Sequence, residues 1–176
     1  LAVCAVVVGW NLRSDAPAEV GGFDTPEYRP VDLSMGLGPP KRGIVLVQLD
    51  DDPELVEWCR KEIAASTGAE VVKVINDVPA AATSYDETRQ QNDAEIIIDE
   101  LFSQFSSSNE AVLAVTSKDL YTSAKPEWRY CFGTHGGSHV AVISSVRMGG
   151  RFQEDLFPSK RAKDRFRKLL LRYVLE

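Results

Sequence analysis

The sequence predicts an α/β fold: a mixed sheet, mostly parallel with an antiparallel edge hairpin, packed by helices. Three observations carry this. The short apolar runs "GIVLVQLD", "AEVVKVIN" and "AVLAVTS" alternate with two segments of helical periodicity, the order expected of parallel strands joined by helical crossovers. The segment "EWRYCFGTHGGSHVAVISSVRMG" then breaks the alternation with two strand-like runs around a glycine pair. A last amphipathic helix starts at Ser159.

Each element has a local reason. "GIVLVQLD" is short and unbroken in apolar residues, as a strand covered on both faces must be. Asp52 precedes Pro53 and predicts a helix N-cap, with proline in the first turn. Leu55, Val56, Cys59 and Ile63 recur at helical spacing, and Gly68 ends the helix. "AEVVKVIN" is the second strand, and "DVPAAATSYDETRQQ" reads as a long connection. From Asn92 a second helix places Ala94, Ile97, Ile98, Leu101, Phe102 and Phe105 on one stripe. "AVLAVTS" is the third strand. Gly136 and Gly137 are expected to supply the positive φ of a tight hairpin. Phe166, Leu169, Leu170, Tyr173 and Val174 form the buried stripe of the final helix.

Composition bounds the function. The 176 residues suffice for one domain with a sizeable core, and 44% hydrophobic with 26% charged residues is ordinary for a globular chain. A net charge of −6 argues against nucleic acid as a partner, since binding it relies on a basic surface that displaces counterions. The local exception, Lys160 to Arg172, reads as a solvated helix face. Cys4, Cys59 and Cys131 form no C-x-x-C pair. A Cys59–Cys131 bridge is open in an oxidising compartment, while Cys59 on an apolar helix face reads as a buried thiol.

Three segments are expected. Residues 1–12 are an apolar N-terminal segment, either the remnant of a signal or membrane anchor or a buried strand. The first reading implies membrane association and an extracytoplasmic or anchored protein, the second a cytoplasmic one. A first residue other than methionine is expected of a piece of a longer protein. Residues 13–42, within a proline- and glycine-rich stretch, read as a linker, and residues 43–176 as the folded domain.

Several constellations carry potential chemistry. His135 and His139 stand four apart in "HGGSH", and Glu176 could complete a three-ligand metal site if the hairpin brought them together; two turn histidines at the surface are the simpler reading. Asp50, Asp51 and Asp52 follow a strand and precede a helix, where acids cap. Ser117 lacks the G-x-S-x-G setting of a serine hydrolase, and no glycine-rich phosphate loop is present.

Four stretches together resemble one family. "VPAAATSYDETRQQNDAEIIIDEL" carries a proline, a Tyr-Asp step, an Arg-Gln step and an Asp-Ala step leading into a long helix. "VLAVTSKDLY" ends a strand in Asp-hydrophobe-Tyr. "YCFGTHGGSHVAVISSVRMG" has a Phe-Gly turn, a Val-hydrophobe-Ser strand and a following arginine. "LFPSKRAKDRFRKLLLRY" approaches a last helix. In this order they resemble the archaemetzincins, metzincin-type zinc metallopeptidases, over Gly43 to Glu176. The resemblance implies a zincin-like sheet ending in an active-site helix. It also implies an H-E-x-x-H motif there, whose two histidines share a helix face and grip one zinc while the glutamate polarises water.

Aligning Arg165 and Lys168 with the family's basic positions puts "RYVLE" at that motif. Arg172 then takes the first ligand position, Tyr173 the base and Glu176 the second ligand. A guanidinium has no acceptor for a metal, and tyrosine is a poor base at neutral pH. The expectation is a degenerate, non-catalytic relative holding no cofactor in this chain, with a peptide-binding or scaffold role. His139, Val140, Ala141, Val142, Ile143, Ser144 and Ser145 would line the cleft as its edge strand. The alternatives are an active zinc-dependent peptidase whose motif lies outside this sequence, and a structural subunit of a larger assembly.

Overall fold

A computed structural model describes residues 43–69, 71–76, 78, 83–106, 108–137, 139–148 and 156–175. The expectations for residues 1–42 and for Glu176 lie outside the described residues.

The chain begins with β1 (Ile44–Gln48), α1 (Pro53–Thr67) and β2 (Val71–Ile75). Asp52 caps α1 by accepting the Leu55 N–H at 3.1 Å, and Gly68 ends it in the left-handed region at φ 70°. Two short strands follow, β3 (Tyr85–Asp86) and β4 (Gln91–Asp93), then α2 (Ala94–Phe105). Next come β5 (Ala111–Thr116), β6 (Leu120–Tyr121), β7 (Gly133–Gly136) and β8 (Val140–Ser144). A 3₁₀ turn, Val146–Met148, leads towards α3 (Lys160–Leu175).

The main sheet has the order β2-β1-β5-β8-β7. β2, β1, β5 and β8 are parallel, and β7 returns antiparallel to β8. The α/β class and the antiparallel hairpin are as the sequence predicts. Alternating side chains sort the core into two layers, as a period of two requires. Val45, Val47, Val112, Ala114, Val140 and Val142 face α2, with its Ala94, Ile97, Ile98 and Leu101. Ile44, Leu46, Leu113, Val115, Ala141 and Ile143 face α1 and α3, meeting Cys59, Ile63, Phe166, Leu170 and Val174. The unbroken apolar runs of β1 and β5 follow from this double cover. Each fully buried Leu, Ile or Phe contributes about 1.5–3 kcal/mol by leaving water.

The two folded cysteines belong to different layers, Cys59 below α3 and Cys131 on the α2 side, and both are free thiols. No bridge between them exists. Burial pushes both thiols up, Cys131 to about 12.

Three details depart from the sequence expectation. The connection before α2 contains strands: β3 pairs antiparallel with β4, and β4 parallel with β6, in a separate three-stranded sheet. α2 starts at Ala94 rather than Asn92, because Asp93 caps it by accepting the Glu95 N–H. Only Gly137 of the glycine pair has positive φ, at 61°. Gly136 is needed for space, since a Cβ there would collide with Ile98 of α2.

Candidate functional site

The resemblance points to the region where α3 passes the outer strand of the sheet. β7 is that strand: among the described residues β8 pairs along one side of it and nothing pairs along the other. The sequence predicts the cleft edge on His139–Ser145, whereas the strand there is an interior one. β8 pairs with both β5 and β7, and Val140, Ala141, Val142, Ile143 and Ser144 are buried. A strand bonded on both sides has no free main-chain groups to offer a ligand.

Thr134 and His135 lie on the outer strand, opposite Val142 and Ala141. His135 is half-buried, and its ring centroid stands 6.3 Å from that of Tyr173 on α3. Its Nδ1 lies 3.3 Å from the Gly137 carbonyl. Tyr173 packs against the buried layer of Phe166 and Leu170. Arg172, next to it, is half-buried.

His139 goes elsewhere. Its Nε2 lies 3.3 Å from the Phe105 carbonyl, and its ring is 5.6 Å from Phe102, both on α2. The two histidines thus face helices on opposite sides of the sheet, and Glu176, the third residue of the expected arrangement, lies outside the described residues. Among the described residues no three His, Cys, Asp or Glu side chains converge on a common point. A zinc ion needs neutral imidazole, thiolate or carboxylate donors. Neither Arg172 nor Tyr173 of α3 is a donor of that kind.

The motif residues behind the resemblance converge instead on the small sheet. Asp86 Oδ1 accepts the N–H groups of Thr88 and Arg89 at 2.8 and 3.1 Å. Arg89 donates to the carbonyls of Pro126 and Trp128, and its guanidinium stacks 4.6 Å from the Tyr121 ring centroid. Gln91 donates to Asp119 and to the Arg129 carbonyl, at 2.8 and 2.9 Å. Asp119 binds Arg147 through both guanidinium arms, with its closest N···O at 2.5 Å. That pair raises the Arg147 pKa, through the hydrogen bond to Asp119 foremost. Arg147 also covers the Tyr130 ring at 4.3 Å. The Tyr121 phenol is pushed up by burial and by Asp93 and Asp86.

These contacts staple residues 117–132, the stretch entering β7, onto the end of the sheet. Cys131 closes the staple as an isolated bridge partner of Leu120. These pairings leave no local signal in the sequence, because their partners lie 28 to 39 positions apart. The acidic cluster also divides: Asp52 caps α1, whereas Asp50 holds Ser117, accepting its N–H at 2.8 Å and its hydroxyl at 2.5 Å.

Comparison with solved structures agrees with this architecture. Archaemetzincin from Methanopyrus kandleri superposes with a TM-score of 0.56 at 24% identity, covering 76% of this chain and 71% of that one. The chain has the archaemetzincin fold. Archaemetzincin from Archaeoglobus fulgidus matches with a TM-score of 0.53 at 19% identity, over 74% of this chain and 72% of its own. A zinc-dependent peptidase from Methanocorpusculum labreanum gives 0.51 at 22%, over 72% and 75%. No protein-family profile matches the chain, and no curated protein does. At these identities the likeness is one of fold.

Proposed function

We propose that this chain is a metallopeptidase-fold protein that has given up the metal in its α3 helix and serves as a peptide- or protein-binding module. One observation supports the reading above others. In the register that aligns Arg165 and Lys168 with the family's basic positions, Arg172 and Tyr173 of α3 take the places of a histidine and a glutamate that would hold and use zinc. A fixed positive charge repels a divalent ion and offers it no lone pair. The chain's two histidines face opposite helices and cannot substitute.

Binding would use what remains. β7 has an unpaired outer side, and an extended peptide can add to such an edge through main-chain hydrogen bonds. His135 and Tyr173 flank that edge and would contact the peptide's side chains. Arg172, on the adjacent face of α3, would favour an acidic residue there.

The metal content of the purified chain tests the first half. We expect far less than one zinc per chain, and no chelator-sensitive cleavage of casein after zinc is added. Stoichiometric zinc bound through α3 overturns the proposal. A reconstruction tests the register: Arg172→His, Tyr173→Glu and Glu176→His together restore H-E-x-x-H and should raise zinc affinity over the parent. No gain means that these are not the motif positions. The Methanocorpusculum neighbour, described as a zinc-dependent peptidase, favours a second reading: an active enzyme whose ligands come from sequence outside this chain. A product extending past Glu176 that cleaves casein in a zinc-dependent way would establish it.

A further inference from the structure

A second concave site lies away from α3. It is a cavity of about 520 Å³ at the carboxyl ends of β1 and β5, where the small sheet leans over the main one. Crevices at the carboxyl ends of parallel strands commonly take ligands, and this volume is typical of small-molecule pockets. Leu49 and Ile97 give it an apolar floor.

Its polar lining has unmet hydrogen-bonding capacity. Asn92, 6% exposed, lines it with a carboxamide that can both donate and accept. Asp50 lines the same wall; its Oδ2 takes Thr116 and Ser117, while Oδ1 is buried without a donor. Gln90 stands at the rim at φ 55°, the sole non-glycine positive φ among the described residues. Strain of this kind, about 1–3 kcal/mol, gathers at ligand sites. Tyr85 completes the wall with half its surface exposed.

Asp119 is paired with Arg147, which leaves Lys118 and Asp50 in the lining with opposite formal charges. A charged guest would gain no net attraction. Carboxamides donate and accept together, as do hydroxyl groups. An apolar floor and an exposed aromatic ring suit the C–H face of a saturated ring. We propose that this cavity binds a neutral polyhydroxylated small molecule, a saccharide or a cyclitol.

Saturation-transfer NMR on the 176-residue chain tests this, with glucose, mannose, N-acetylglucosamine and myo-inositol as probes. At least one should receive saturation and be displaced by another. Gln90→Gly removes the rim amide while relieving the backbone, so it should weaken binding roughly tenfold without lowering the melting temperature. Asn92→Ala should abolish binding. Methyl glycosides separate the sources: binding them as well as free sugars marks a glycan end, and binding free sugars alone marks a soluble metabolite. Absence of transfer to every probe overturns the proposal. So does equal transfer in Gln90→Gly and Asn92→Ala, or preference for glucose 6-phosphate over glucose.

Discussion

The five-stranded sheet and the three-stranded sheet are held by different physics. In the first, apolar side chains from β1, β5 and β8 sort onto two faces and meet three helices. Its stability comes from area removed from water, which is spread over many residues and indifferent to which neighbour supplies the cover. In the second, strands of two or three residues cannot bury a face. Here Arg89, Gln91, Asp119 and Arg147 do the holding, each through a specific partner. A packed layer should therefore fail globally when broken, and a polar staple should open locally. Substitutions in each region can break that contrast.

The largest effect is expected at Leu170. It is fully buried between α3 and the sheet, and Leu170→Asp would place a carboxylate there without a partner. We expect a loss of about 4 kcal/mol or more, seen as a melting temperature lowered by well over 10 °C or as failure to fold. An unchanged melt would mean that α3 does not pack on the sheet. Next is Gly136, where the two layers meet the hairpin. Gly136→Ala drives a methyl into Ile98 and must push α2 or β7 aside. The expected cost is about 2–3 kcal/mol by thermal melting, with Ile98→Ala in the same chain recovering part of it.

Asp119→Ala tests the staple. It unpairs Arg147 and one arm of Gln91, but the Arg147 side chain is 42% exposed, so solvent already screens part of the attraction. A local loss of about 1–2 kcal/mol is expected. Hydrogen exchange should rise in residues 117–132 while amides of β1 and β5 keep their protection. Uniform loss of protection would show that the two sheets unfold as one unit and that the contrast drawn above is false.

The same contrast explains what was legible in the sequence. β1, β2, β5, β8 and all three helices could be read because an apolar period of two or 3.6 is a local signal. The cap at Asp52 and the stop at Gly68 were local too. The small sheet was not legible. Its strands are too short to show a period, and its pairings join residue 91 to 119 and 89 to 128 across the chain. The edge strand was misplaced for a related reason. "HVAVISS" reads as the stronger strand, and the apolarity that makes it so marks an interior position between β5 and β7. An outer strand has less to cover, and "GTHG" carries little apolar pattern. The two histidines take opposite faces, which their spacing alone could not show, because spacing in a hairpin does not decide which face a side chain takes.

The smallest effect is absent at neutral pH and separates the regions by titration. Cys131 sits at the staple and Cys59 under α3, and burial foremost raises both thiols above their ordinary value of 9.0. The unfolded chain releases these protons near pH 9, whereas the folded chain keeps them, Cys131 to about 12. The stability they contribute is fully present below pH 9 and falls as pH rises towards 12, by about 1.4 kcal/mol per pH unit for each thiol. Chemical denaturation between pH 9 and 10.5 should therefore show a shallower decline in Cys131→Ala than in the parent, by one proton's slope, and the same for Cys59→Ala. If the small sheet opens before the main one, global unfolding starts from a state in which Cys131 is already exposed. Only Cys59→Ala would then flatten the global curve, and Cys131→Ala would change the local hydrogen exchange of residues 117–132 instead. Equal flattening in both variants would join the two sheets in one cooperative unit.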